Sequence, residues 1–432
     1  MKRGFYTIMA AQFFSSLADN ALLIAAIALL LQLNGPAWFT PLLKFFFTVS
    51  YVVLAAFVGA FADSMPKGKV MFATNLVKIA GCALLFFHDA VRIPGLEPHW
   101  FVLAAYAVVG LGAAAYSPAK YGILTELLPA EQLVVANGWI EGLTVLSIVL
   151  GTVLGGLLIG TTVSQALLSF DFPFIDSGVD TPAEAAILVI AAVYLIAALF
   201  NLAIPDTGAR YSHQERNPLR LVVDFAHCFK TLWNDKLGQI SLAVTTLFWG
   251  AGATLQFIVL KWAEQHLNLP LSKGAMLQGV SAVGIAMGAV LAARFVPLKR
   301  AVAVLPVGIA MGISVTTLIG VTWMPMVYAL LVLVGAMAGF FVVPMNALLQ
   351  HRGHVLLSAG HSIAVQNFNE NVSILVMLAL YALMIKLDLH INVIIAMFGT
   401  FVAVAMFLVM RWNAANHRAD PNLDRLIGEA KH

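Results

Sequence analysis

The sequence predicts an all-α membrane protein: twelve transmembrane helices in two six-helix bundles, with both termini in the cytoplasm. Three observations carry that expectation. Of the 432 residues, 61% are hydrophobic and 10% charged, with a mean hydropathy of +0.91; soluble domains average about 45–50% apolar and about 25% charged. Apolar runs close to the roughly 20 residues needed to cross a bilayer recur twelve times along the chain. The basic residues between those runs are distributed unevenly, which sets orientation. The same composition excludes an ordinary soluble enzyme, and a formal net charge of +3 is too small to point to nucleic acid. Cys82 and Cys228 are the only cysteines and lie far apart, which argues against a disulfide framework or a cysteine-based zinc site.

The runs fall at 6–33, 40–62, 70–91, 100–121, 135–160, 184–204, 237–262, 274–295, 302–321, 326–347, 363–386 and 391–411. Lys2 and Arg3 precede the first, as in a signal peptide. That run is too long, however, carries Asp19 and Asn20 at its middle and lacks a small-residue cleavage site, so it reads as an uncleaved helix. With the N-terminus inside, the inner segments hold eighteen Lys and Arg, and the outer ends hold five: Lys44, Arg92, Lys261, Lys273 and Lys386. Lys78 lies within the third run with no evident partner. The outer segment 161–183 contains Asp171, Asp176 and Asp180 and no Lys or Arg, in keeping with the inside-positive rule.

The longest polar stretch, 205–236, opens with Pro205-Asp206-Thr207-Gly208, a helix-ending signal. Within it Leu219, Val222, Phe225, Phe229, Leu232 and Trp233 recur at spacings of three and four, with Arg220, Asp224, His227 and Lys230 on the remaining surface. This is an amphipathic helix, either lying on the inner membrane face or packed on a bundle. The expected divisions are therefore a bundle at 1–204, a cytoplasmic linker at 205–236, a bundle at 237–411 and a cytoplasmic tail at 412–432. The halves repeat faintly: Gly59-Ala60-Phe61-Ala62-Asp63 ends the second run and Gly288-Ala289-Val290-Leu291-Ala292 the eighth, and Pro118 and Pro344 occupy matching places. Parallel repeats of this kind are a transporter architecture.

Gly59-x-x-x-Asp63 followed by Lys67 resembles the loop motif of the major facilitator superfamily, with Ser64 where that motif has a basic residue and Pro66 where it has glycine. Three longer strings resemble the bacterial lysophospholipid transporter family of that superfamily. They are Phe14-Ser15-Ser16-Leu17-Ala18-Asp19-Asn20-Ala21-Leu22, Ser117-Pro118-Ala119-Lys120-Tyr121-Gly122-Ile123-Leu124-Thr125-Glu126 and Ala136-Asn137-Gly138-Trp139-Ile140-Glu141-Gly142. The resemblance implies the major facilitator fold in a multi-pass protein of the bacterial inner membrane. It implies movement of lysophospholipids to the cytoplasmic leaflet by alternating access, for re-acylation by a separate acyltransferase. It also implies a conformational role for Gly59, Asp63 and Lys67. The outer segment 161–183 is longer than the family usually has. A major facilitator exporter of drugs or other amphiphiles is the alternative, and a scaffold for a lipid-acylating enzyme is a third reading.

A charge at mid-bilayer costs roughly 2.5–3.5 kcal/mol on insertion scales, so charged and strongly polar residues inside the runs mark function or a paired structural element. Gln12, Ser16, Asp19 and Asn20 form one helical stripe. Lys120, just after Pro118, either binds a phosphate as a point charge or snorkels to the interface or pairs with Glu126 or Glu141. Asn137 and Glu141 share a face, and Glu141 either titrates during transport or pairs structurally. The eleventh run opens with Gln366, Asn367, Asn369, Glu370 and Asn371, too polar a string to face lipid. Ser241, Thr245, Trp249 and Gln256 share a side of the seventh run, and Asn346 and Gln350 are weaker candidates on the tenth. The candidates for substrate binding or transport are Asp19, Asn20, Lys120, Asn137, Glu141, Gln366, Asn367 and Glu370. His88 and Asp89 read as interfacial. His351, His354 and His361 have no metal-ligand spacing and read as an exposed inner loop, so neither a metal nor a cofactor is expected. The sequence contains no phosphate-binding Gly-x4-Gly-Lys loop, no His-x4-Asp pair and no Gly-x-Ser-x-Gly elbow, which argues against an ATP-driven or catalytic chain. Expected partners are the lysophospholipid substrate and membrane lipids. The Gly-x-x-x-Gly pairs at 151/155, 156/160, 284/288, 308/312 and 335/339 predict close helix contacts.

Overall fold

The computed structural model describes residues 3–35, 39–91, 94–169, 178–211, 217–269 and 271–427. Among the described residues all regular structure is helical. In chain order the α-helices are α1 (Arg3–Gln32), α2 (Phe39–Val53), α3 (Ala55–Asp63), α4 (Lys67–Phe86), α5 (Pro98–Leu127), α6 (Leu133–Ile159), α7 (Thr161–Leu168), α8 (Pro182–Leu202) and α9 (Pro218–Asn234). They continue with α10 (Gly238–Gln265), α11 (Leu271–Phe295), α12 (Leu305–Thr316), α13 (Met324–Leu356), α14 (Ala359–Lys386) and α15 (Ile391–Ala419). Among the described residues eleven helices are long and apolar enough to cross a membrane, twelve if the bent pair α2–α3 counts as one span.

Three expectations need correction. The run at 40–62 is not one helix: α2 and α3 meet at 65° across Leu54. The segment 161–183 begins with a short helix, α7, and residues 170–177, including Asp171 and Asp176, lie outside the described residues. The polar string around His351 is no loop, because α13 runs on to Leu356 with His351 and Arg352 buried. Arg352 is accommodated there by a fork of hydrogen bonds. Its Nε and Nη2 donate to the Asp235 carboxylate at 3.1 and 2.7 Å, and its Nη1 donates to the Leu426 carbonyl at 3.0 Å.

The described residues form two compact units. One comprises Met1–Lys120 with Ser147–Glu215, the other Tyr121–Leu146 with Arg216–His432. In the first, α1 and α4 both pack on α8, and a core of Ala18, Ala21, Leu22, Ala25, Ala26 and Leu29 meets Ile187, Ile190 and Tyr194. Gly151 and Gly155 of α6 lie against the α1 backbone at Leu17 and Ala21, as their spacing predicts. The pair at 156/160 makes no such contact: Gly156 faces open space and Gly160 meets only its own turn.

In the second unit α11 and α13 run parallel at close range. Gly284 and Gly288 face the carbonyls of Val332 and Ala336, while Gly335 and Gly339 face those of Ser281 and Ile285. Lipid tails are as apolar as Leu, so such helices associate through van der Waals packing rather than hydrophobic exclusion, and small residues permit it. A methyl group at any of the four collides with a neighbouring backbone that cannot rotate away. Gly288→Ala is therefore expected to cost about 1–3 kcal/mol through overpacking, read as a lower melting temperature in detergent; an unchanged melt would contradict the packing.

The amphipathic segment is α9, and it packs within the second unit. Cys228 and Leu232 are buried against Leu242, Leu349 and Val365, with Phe225, Phe229 and Trp233 packed around them. Leu219, Val222 and Val223 on its first turns are exposed. Just before it, hydrogen bonds from Arg210 and from the Gly208 N–H hold the exposed Asp206 carboxyl down at about 2.

Candidate functional site: buried charge and amide clusters

In the first unit one member of the predicted α1 stripe, Asp19, forms an ion pair that the sequence did not reveal. Lys78, on α4, is 1% exposed, and its ammonium lies 2.9 Å from each oxygen of Asp19. It also donates to Ser15 Oγ at 3.0 Å, so its partners match its three N–H donors. Tyr194 of α8 donates to Asp19 Oδ1 at 2.6 Å, and the Ser15 hydroxyl donates to Asn75 Oδ1 at 2.8 Å. The rings of Tyr116 and Tyr194 lie 5.0 and 5.5 Å from the ammonium, within cation–π range. Gly112 of α5 makes room: a Cβ there would stand 2.8 Å from both Lys78 Cγ and the Thr74 carbonyl. Asp19 keeps 21% of its side chain exposed, so the carboxylate is the accessible member of the pair. Asn20 takes no part, because its amide folds back to the Ser16 carbonyl of its own helix at 2.8 Å. Lys120 ends this unit, half-buried on α5, which continues without a break through Pro118.

The motif residues sit where α3 turns into α4. Gly59 and Asp63 are buried on α3, and Lys67 at the start of α4 donates to Asp63 Oδ1 at 2.5 Å and to the Ala62 carbonyl at 2.8 Å. The Tyr211 ring lies 4.9 Å from the same ammonium, so the start of the linker covers the motif.

In the second unit the string on α14 is turned inward as predicted. Gln366, Asn367, Asn369 and Glu370 are buried and Asn371 is half-buried. The Gln366 amide donates to Glu370 Oε1 at 2.7 Å and to Asn346 Oδ1 at 3.0 Å. Asn137 of α6 and Gln350 of α13 exchange two amide hydrogen bonds, each 2.9 Å. Asn369 accepts from the Trp233 indole at 3.3 Å, which ties α9 to this helix. Asn346 and Gln350, the weaker sequence candidates, thus stand at the centre of the clusters. Glu141 falls on α6, and its side chain lies outside the described residues. The α10 stripe bonds to its own helix and to α11. Ser241 and Thr245 donate to carbonyls of their own helix, and Gln256 pairs with Gln278 at 3.1 Å.

Three of these clusters share one chemistry. Each keeps paired hydrogen-bonding groups inside a bundle, while Asn75 Nδ2 and Gln366 Oε1 are buried without a hydrogen bond.

A family model, the Major Facilitator Superfamily, matches residues 8–376. The chain is 42% identical over 388 residues to the "Lysophospholipid transporter LplT" of Yersinia pestis (strain Pestoides F), covering 90% of this chain and 88% of that protein. The protein of the same name from Yersinia pseudotuberculosis serotype O:3 (strain YPIII) matches equally. Among solved structures, a bacterial homologue of the iron transporter ferroportin in an outward-facing state superposes with TM-score 0.70 at 13% identity, over 96% of this chain and all of that one. The transporter FucP gives 0.68 at 13% identity over 95% and 99%, and human MFSD10 gives 0.65 at 15% over 99% and 100%. At these identities the structural matches establish the fold alone.

Proposed function

The chain belongs to the major facilitator superfamily, and from that premise we propose that it carries lysophospholipids across the bacterial inner membrane. The observation that carries the reading is the 42% identity to proteins named as lysophospholipid transporters, sustained over 90% of the chain. The orientation rule supports cytoplasmic termini, and delivery is to the cytoplasmic leaflet, where a separate acyltransferase restores the second chain. Transport proceeds by alternating access. The physical problem is an amphiphile whose head group resists hydrocarbon while its single acyl chain does not. In the first unit, Lys120 attracts the phosphate and the exposed edge of Asp19 receives the rest of the head group. In the second unit, Asn137, Gln366, Asn367 and Glu370 offer amide and carboxylate partners, with Asn346 and Gln350 added by their hydrogen bonds. Glu141 completes the set. Gly59, Asp63 and Lys67 act in the conformational change.

Uptake of radiolabelled lysophosphatidylethanolamine into spheroplasts tests this. The Asp19→Ala, Lys120→Ala variant is expected to fall to about a tenth of the parent rate or less, since each lost charged hydrogen bond is worth about 1.5–3 kcal/mol. Undiminished uptake would reject the site. Drug hypersensitivity on deletion, with lysolipid uptake intact, would favour the exporter reading instead.

A further inference from the structure

We propose that His88, Asp89 and Glu184 form a site for a divalent transition metal, with Zn²⁺ the best match. The inference is independent of the transported substrate. His88 and Asp89 follow the end of α4 and Glu184 lies in the first turn of α8, all within the first unit. One ligand atom from each residue lies within 4.8 Å of the other two.

The state of the imidazole is the second observation. His88 is 5% exposed, and its Nδ1 stands 3.0 Å from the Leu85 carbonyl. A carbonyl can only accept, so Nδ1 carries the hydrogen. Nε2 is buried and makes no hydrogen bond, although Asp89 Oδ1 is 3.3 Å away. A ligating histidine usually donates its other N–H to a carbonyl or carboxylate, and this one does so already. Glu184 is also preset. Its Oε2 accepts from the backbone N–H groups of Asp180 and Thr181 at 2.9 and 3.1 Å, in a capping box with Thr181. One imidazole nitrogen and two carboxylates thus converge with excess negative charge, a mixed nitrogen and oxygen set suited to Zn²⁺. Asp89 is exposed, which leaves an entry path and room for water to complete the coordination.

The site would clamp α4 to α8. These helices carry Lys78 and Tyr194, the two residues that grip Asp19: Tyr194 lies ten residues, or about 15 Å, along α8 from Glu184, and Lys78 lies eight residues before the end of α4, which His88 and Asp89 follow. Metal binding should therefore stiffen the frame around the Asp19 ion pair. The competing occupant is a proton, which would make His88 an imidazolium paired with Asp89.

Full-length protein, purified in detergent on a histidine-free tag and stripped with EDTA, decides between them by titration calorimetry with ZnCl₂ and by thermal melting. One-to-one binding is expected, with a melting temperature raised by several degrees at Zn²⁺ about 100-fold above Kd. His88→Gln and Asp89→Asn should each weaken binding at least about tenfold. Absence of saturable binding would overturn the proposal, as would binding unaltered in both variants. So would a melt that falls in His88→Gln while Zn²⁺ adds nothing to the parent.

Discussion

Lys78→Met is expected to destabilise the first unit by about 3–5 kcal/mol and to abolish transport. Removing one member of a buried pair leaves the other charge without compensation, which costs more than the pair itself contributes. Here the orphan is Asp19, held among α1, α4 and α8 with only the Tyr194 hydroxyl left to it. The double variant Lys78→Met, Asp19→Asn removes both charges at once, and its melting temperature should recover most of the loss. Flux in reconstituted vesicles then separates two roles. If Asp19 serves the head group, the double variant is folded and inactive; if the pair only holds helices together, transport returns with stability. A Lys78→Met protein that melts with the parent would show that the ion pair is not formed.

Arg352→Met should be as damaging to the second unit, by about 3–5 kcal/mol. The guanidinium joins the end of α13 to Asp235, ahead of α10, and to Leu426 in the C-terminal segment. Asp235 is nearly as buried, with 10% of its side chain exposed, and its Oδ2 also accepts the Gly238 N–H at 2.8 Å. Losing the arginine therefore strands a carboxylate and frees the tail together. Thermal melting reads the first effect, and faster proteolytic trimming of the C-terminal residues reads the second. Arg352→Lys keeps the charge without the planar fork and should recover only part of the loss. Equal tail protection in Arg352→Met and parent would count against the assigned role.

Hydropathy made the spans legible because a bilayer imposes a length and a polarity on every crossing. It could not show the break at Leu54, since both α2 and α3 are apolar and no proline or glycine marks the bend. The inward turn of Gln366 to Asn371 was legible for the same reason: five polar residues in six have no place in lipid. The partner of Asp19 was harder, because it lies 59 positions away and periodicity within one helix carries no register with another. One clue was available: an unexplained lysine in one span and an aspartate in another are opposite charges that each demand a partner. His351 and His354 misled because polarity suggests exposure, whereas α13 continues through them to Leu356 and Asp235 and Leu426 satisfy the intervening Arg352 in place. Of the two readings left open for α9, packing within the second unit is seen in its aromatic residues, Phe225 and Phe229 meeting Phe368, while Leu219, Val222 and Val223 stay exposed.

The indole of Trp233 touches Asn369, the residue beside Glu370, and stacks on Trp412 with 6.4 Å between ring centroids. An emitting chromophore is thus already wired to the polar stretch of α14. A rotation of that helix would break or lengthen the indole bond and shift the wavelength and quenching of its fluorescence. With the remaining tryptophans replaced by phenylalanine, the chain becomes its own optical sensor, reporting rearrangement in real time without an attached dye.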